Sequence, residues 1–152
     1  MSHDIKNLKP QKNSRYDQGY INPNTCKKIF ESQIGKPIIF RSSLERKFVS
    51  WCESTKSVIR WGSECVQVPY TDPRDGSHHI YNPDFFLEMA NGDRIAVEIK
   101  PLNQTKPPKY PMRDDYQWNT YLKNRLKWDA AIKFFNERNI KFTIITENFF
   151  KF

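Results

Sequence analysis

The sequence predicts an α/β (α+β) domain whose mixed central β-sheet is flanked by helices, and three stretches carry that expectation. "RSSLERKFVSWCES" combines a capping pattern with a helical apolar period. "FFLEMANGDRIAVEIKP" is a pair of apolar runs across a turn, and "YQWNTYLKNRLKWDAAIKFFNER" is a long amphipathic stretch leading into the strand-like "IKFTIITE". With 152 residues, 38% of them hydrophobic, four Trp and eleven Phe, the chain can build one domain with a substantial core.

Residues 1–37 are rich in Lys, Asn, Gln and Pro with little apolar periodicity, so they read as a basic arm, lying over the domain or partly disordered. The domain itself spans 38–152. Ser42 with Glu45 three residues on marks the start of the first helix, and positions 45, 48, 49 and 52 share one face. Glu45 therefore borders the buried side. "SVIRW", "ECVQVPY" and "HHIYNPDFFLEMA" read as strands, with "DPRDG" as the hairpin loop between the last two. "LNQTKPPKYPM" is too broken by proline for helix or central strand. Asp114 and Asp115 then supply N-cap chemistry for the long helix.

An excess of 25 Lys+Arg over 17 Asp+Glu gives a net charge of +8. This favours a polyanionic partner, nucleic acid before membrane, because no basic amphipathic anchor accompanies the charge. Cys26, Cys52 and Cys65 form no CxxC pair, and without a signal peptide they are expected to be free thiols in a reducing compartment. No apolar run approaches membrane-spanning length.

The hairpin poses the functional question, because its second strand carries Glu98 and Lys100 among apolar neighbours. Burying such charges is costly unless something pairs with them. A two-residue Asn91-Gly92 turn would set Asp84 opposite Ile99 and send Glu98 to the other face. A three-residue loop of Ala90, Asn91 and Gly92, with the glycine in a left-handed bulge position, would set Asp84 opposite Glu98. Both turns are chemically plausible. In the second register the carboxylates repel each other unless a cation lies between them, and a divalent metal would compensate both.

Asp84 in "NPDF", the triplet Glu98-Ile99-Lys100 on the next strand, and Glu45 on the preceding helix together resemble the core of the PD-(D/E)xK nuclease superfamily. The ordered stretches "RSSLE", "RWGSE", "VPY", "VEIKP", "LKWDAA" and "IKFTIITE" are similar to one branch of it, the head completion nucleases of T4-type tailed phages, related to the transposon end-cutting TnsA type. The resemblance runs from about residue 41 to 147 and leaves out the arm. An E-x-K triplet alone is weak, but the ordered set with these flanks is much stronger.

The resemblance implies a restriction-endonuclease-like core and metal-dependent hydrolysis of DNA phosphodiesters. Mg²⁺ or Mn²⁺ would be held by Asp84 and Glu98, helped by the Ile99 carbonyl and by Glu45 directly or through water, while Lys100 would orient water and stabilise phosphate charge. Arg41, Lys127 and Tyr81 are the candidate DNA contacts. Each has a plainer reading. Glu45 could serve only the helix cap, Glu98 and Lys100 could be a surface ion pair, and Asp84 could be a turn residue after Pro83. Ala96 on the Glu98 face and Ile95, Val97 and Ile99 on the other argue against a solvated face. Glu64 could reach the site from a neighbouring strand but reads first as a strand-edge carboxylate; Tyr70, Tyr81 and Gln67 could hydrogen-bond phosphate or metal-bound water, although strand tyrosines read first as packing, and Lys127 reads first as a solvated helix lysine. His78 and His79, adjacent on a strand, point to opposite faces and make a poor zinc pair.

Three functional readings follow. The first is an endonuclease of low sequence specificity acting in phage head completion, in the infected host cytoplasm or with the virion, alongside DNA and capsid or portal proteins, as monomer or homodimer. The second is a transposon or repair endonuclease of the same core. The third is a non-catalytic DNA-binding head completion protein, which would have no need of buried charges at Asp84, Glu98 and Lys100.

Overall fold

A computed structural model describes residues 19–109 and 115–151. In chain order it forms β1 (Gly19–Ile21), β2 (Ile38–Phe40), α1 (Ser43–Ser54), β3 (Val58–Ser63), β4 (Val68–Thr71), β5 (His78–Tyr81), β6 (Phe85–Met89), β7 (Arg94–Ile99), α2 (Asp115–Asn136) and β8 (Lys141–Ile145). The central sheet has the order β3-β6-β7-β8. Its first three strands pair antiparallel, and β8 joins β7 in parallel. A parallel neighbour needs a long crossover, which α2 provides. The mixed, helix-flanked sheet expected from the sequence is therefore present, in a restriction-endonuclease-like arrangement.

Residue alternation divides the core into two layers. Ile95, Val97 and Ile99 of β7 face the side where α1 packs Phe48, Val49 and Cys52 against Trp61, Phe85 and Leu87. Ala96 faces the other side, where Trp128, Ala131 and Phe135 of α2 meet Val68, Tyr70 and Tyr81. Glu98, two residues beyond Ala96, shares the α2 face.

Ser42 caps α1 by accepting the Glu45 N–H at 3.1 Å. At the far end of α2, Asn139 adopts a left-handed conformation (φ 58°), and the Ile140 N–H returns to the Phe135 carbonyl at 2.9 Å to close the helix. Asp114 lies outside the described residues. The described part of the arm, 19–37, packs on the domain: β1 pairs with β2, and Ile29 forms a parallel bridge with Trp61 beside β3. The carboxylate of Glu53 secures this contact by accepting the Trp61 indole N–H at 2.8 Å and the Lys28 backbone N–H at 3.2 Å.

One strand expectation requires correction. "HHIYNPDFFLEMA" is divided at Asn82–Asp84 into β5, which pairs with β4 in a separate two-stranded sheet, and β6 in the central sheet. Pro83 has no N–H for a ladder and a fixed φ, so the chain leaves one sheet and enters the other at this point. The "DPRDG" loop does join β4 to β5. In "ECVQVPY" only Val68 onward is strand.

The β6–β7 hairpin adopts the three-residue loop. Phe85 pairs with Val97 and Glu88 with Arg94. Met89 N–H bonds the Asp93 carbonyl at 2.8 Å, and Gly92 lies at φ 90°. The next pair in this register is Asp84 opposite Glu98. A Cβ on Gly92 would meet nothing within 4 Å, so the constraint is purely conformational. Gly92→Ala should cost about 1–2 kcal/mol in urea unfolding and Gly92→Asn clearly less. Equal stability of the alanine variant would show that the left-handed residue does not fix the register.

Candidate active site

Three elements bring the acidic residues together. Asp84 stands at the entry to β6 and uses its Oδ2 to accept the Ile99 N–H at 2.7 Å, which ties it to the end of β7. Glu98 is buried, with 7% exposure, although it is a carboxylate on a central strand. Its Oε2 accepts a hydrogen bond from the Tyr81 hydroxyl, and its Oε1 lies 3.7 Å from Lys100 Nζ. Lys100 is itself positioned by its backbone N–H, which bonds the Ile145 carbonyl of β8 at 2.9 Å.

Glu45 approaches from the first turn of α1. It forms only half of the expected capping box: its own N–H bonds Ser42, but its Oε2 accepts the Arg41 N–H at 3.0 Å rather than that of Ser42. The carboxylate is thereby held at the end of β2. Burial raises its pKa, and the charges of Glu64 and Glu98 add to that against the opposing Arg41. Asp84 is raised well above the ordinary carboxylate range, first by burial and then by the charges of Glu98 and Glu45. Burial also raises Glu98, opposed by the Tyr81 hydrogen bond and by the charges of Lys100 and Lys127. Asp84 thus feels the charges of Glu98 and Glu45, and Glu45 that of Glu98, whereas Glu98 is the carboxylate nearest the compensating cations.

The remaining candidates occupy different places. Lys127 is half-buried, its Nζ stands 5.8 Å from the Tyr81 ring centroid, and burial followed by the nearby charge of Lys123 lowers its pKa. Arg41 pairs through its guanidinium with Glu64. Tyr81, named as a DNA contact, is only 5% exposed, and its hydroxyl is committed to Glu98. Tyr70 is buried and stacks on His79, whereas Gln67 is exposed. His78 and His79 are each engaged with a hydroxyl, of Thr71 and Ser77 respectively.

Two contacts were not read from the sequence. Glu64, weighed as a carboxylate that could reach the site, also braces it through its backbone: just past β3 it lies in the left-handed region at φ 49° and donates its N–H to the Asp84 carbonyl at 2.9 Å. The second is the Tyr81 hydroxyl on Glu98. The signal for it was the Pro83 break, which turns the end of β5 toward the central sheet.

Residues 55–147 match the family of TnsA-like endonuclease N-terminal domains. The head completion nuclease of Enterobacteria phage T4 is 33% identical over 124 residues, a match that covers 74% of this chain and 81% of that protein. The chain belongs to the TnsA-like endonuclease family. Within the matched span the TnsA-like domain contains Asp84, Glu98 and Lys100, whereas Glu45 and Arg41 precede the family boundary and fall on α1 and its N-terminal flank. Among the described residues of this endonuclease, no helix is long and apolar enough to cross a membrane.

The raised carboxyls have a thermodynamic consequence. Between the ordinary pKa range and their raised values, the folded endonuclease binds more protons than the unfolded chain. Its stability in the presence of a chelator should therefore fall as pH rises through that window. Asp84→Asn keeps an oxygen for the Ile99 N–H but removes one charge, so it should stabilise the metal-free fold at neutral pH by about 1 kcal/mol and flatten the pH slope. Thermal melts in EDTA across mildly acidic to neutral pH measure both, and an unchanged slope would contradict the charge coupling.

Proposed function

We propose that this endonuclease hydrolyses DNA phosphodiester bonds with the aid of Mg²⁺ or Mn²⁺, with little sequence specificity, in the completion of phage heads. The observation that carries the reading is the shared face of Asp84, Glu98 and Lys100, a half-buried and a buried carboxylate with a lysine at the ends of adjacent central strands. The phage setting, with DNA and head proteins as partners in the infected cell, rests on the similarity to the T4 head completion nuclease.

The residues suit a hard divalent cation. The donors are all oxygens, and the charges of Glu98 and Glu45 raise the Asp84 pKa, so a cation at this face would relieve repulsion. Among the described residues, no group of three or more His, Cys, Asp or Glu side chains is set to hold a metal ion. Mg²⁺ does not require one, because it commonly uses one or two carboxylates with water and substrate phosphate. Asp84 Oδ2 is committed to Ile99 and Glu98 Oε2 to Tyr81, which leaves Oδ1 and Oε1 to hold the ion. The Ile99 carbonyl and Glu45 would complete the set. A bound ion would withdraw charge from the phosphate and lower the pKa of water.

The protein's own contribution is positioning and charge. Lys100, held beside Glu98, orients the attacking water and stabilises negative charge as it grows on the phosphate. Lys127, half-buried at the same face, adds a second fixed positive charge. Arg41 reaches a DNA phosphate by exchanging its Glu64 partner for it, and the lysines of "TKPPK" extend the basic surface.

Lysine and carboxylates should separate in experiment. Lys100→Ala is expected to reduce plasmid cleavage about 100-fold or more, while calorimetric Mn²⁺ binding stays intact or strengthens through loss of a competing charge. Asp84→Asn and Glu98→Gln should lose both. Cleavage by Lys100→Ala at the wild-type rate, or undiminished cleavage in EDTA, would overturn the mechanism. DNA affinity should also drop steeply with added salt through counterion release, and a binding constant unchanged between low and physiological salt would refute the basic footprint.

A further inference from the structure

We propose that Tyr81 is a positioning residue whose hydroxyl, backed by the Trp128 indole, holds the Glu98 carboxylate in the orientation that accepts a cation. The proposal rests on the metal-dependent reading above and deepens it.

The geometry is specific. Tyr81 is the last residue of β5, just before the Asn82–Asp84 break, and the break folds its ring under the end of β7. The two oxygens of Glu98 then have different surroundings: Oε2 takes the Tyr81 proton, and Oε1 looks toward Lys100 at 3.7 Å. Lys100 is too distant at 3.7 Å to fix the carboxylate plane by a hydrogen bond. Without the phenol, Glu98 could turn about its last torsion, which is broad and roughly two-fold for such a terminal group.

A second donor stands behind the first. Trp128 is 1% exposed, and its Nε1 finds no acceptor within hydrogen-bond geometry. Buried indole N–H groups usually have a partner, so an orphan calls for an explanation. Tyr81 lies in the same buried cluster as Trp128, and its phenol oxygen is the acceptor we assign to the indole. An oxygen that gives its proton to Glu98 keeps lone pairs for the indole, so Trp128, Tyr81 and Glu98 can run as one directed chain of donors. Lys127 lies over the tyrosine ring and confines it from another side. Donors that orient a metal-binding carboxylate act on affinity, and their loss commonly weakens it about 10- to 100-fold.

The test is Mn²⁺ titration calorimetry on the full chain, for wild type, Tyr81→Phe, Trp128→Phe and the double variant, beside plasmid cleavage across Mn²⁺ concentration. Phenylalanine preserves the ring and its contact with Lys127 and removes only the hydroxyl. Tyr81→Phe is expected to weaken Mn²⁺ binding about 10- to 100-fold, to shift half-maximal cleavage to higher Mn²⁺ by the same factor, and to leave the KM for DNA unchanged. Trp128→Phe should weaken binding by a smaller factor, and by none in the Tyr81→Phe background, because it acts through the phenol. Wild-type Mn²⁺ affinity in a folded Tyr81→Phe protein would overturn the proposal, whatever its melting temperature. If that variant does not fold, unchanged affinity in Trp128→Phe overturns it instead. Absence of Mn²⁺ binding by the wild type would reject the metal-dependent reading itself, an outcome distinct from loss of the positioning role alone.

Discussion

Side chains alternate between the faces of a strand, so the pairing of β6 with β7 decides whether Asp84 and Glu98 meet or are separated by the thickness of the sheet. The Gly92 loop sets that pairing, and the rest of the site depends on it. Lys100 shares the face because it lies two residues from Glu98. The Ile99 N–H reaches Asp84 because the strand ends are level. A slip of one residue would move Glu98 and Lys100 into the apolar layer against Phe48 and Phe85, where nothing could pair with them.

The same face explains how a carboxylate is kept inside a central strand. Glu98 has a neutral donor in Tyr81 and a cation in Lys100, and Lys127 adds charge from α2. These partners reduce the cost of burial without removing the mutual repulsion with Asp84 and Glu45. The β2–α1 junction handles its own share differently. Arg41 engages Glu45 with its backbone and Glu64 with its side chain, so one residue braces two acids from two directions.

Sequence reasoning reached the elements with strong periodic signals: α1, the β6–β7 hairpin, α2 and β8. The hairpin could be narrowed to two registers and no further, because Asn-Gly suits a two-residue turn and Gly alone suits the bulged loop. The division of β5 from β6 was visible as a proline, but the change of sheet depends on tertiary pairing with β4. Side-chain contacts across long separations left no local trace. The Tyr81 to Glu98 bond and the Arg41 to Glu64 pair are products of how the elements stack, and neither residue type announces its partner. The half capping box shows the same limit on a smaller scale. Ser-x-x-Glu predicts the cap on Ser42, but whether the glutamate returns to residue 42 or 41 depends on the path of the chain entering the helix.

The parallel pairing of β7 with β8 bears on the order in which the molecule is built. Asp84 and Glu98 meet through a loop of three residues, a local closure that is entropically easy and fast. Lys127 arrives only when α2 docks, and the Lys100 backbone is fixed only when the chain returns as far as Ile145. Non-local contacts of that kind carry the larger loop-closure cost. The acidic pair is thus a product of local closure, whereas its burial depends on the return of α2 and β8 to the sheet. The elements that complete the burial are the same ones that bring Lys127 to the site and fix the Lys100 backbone.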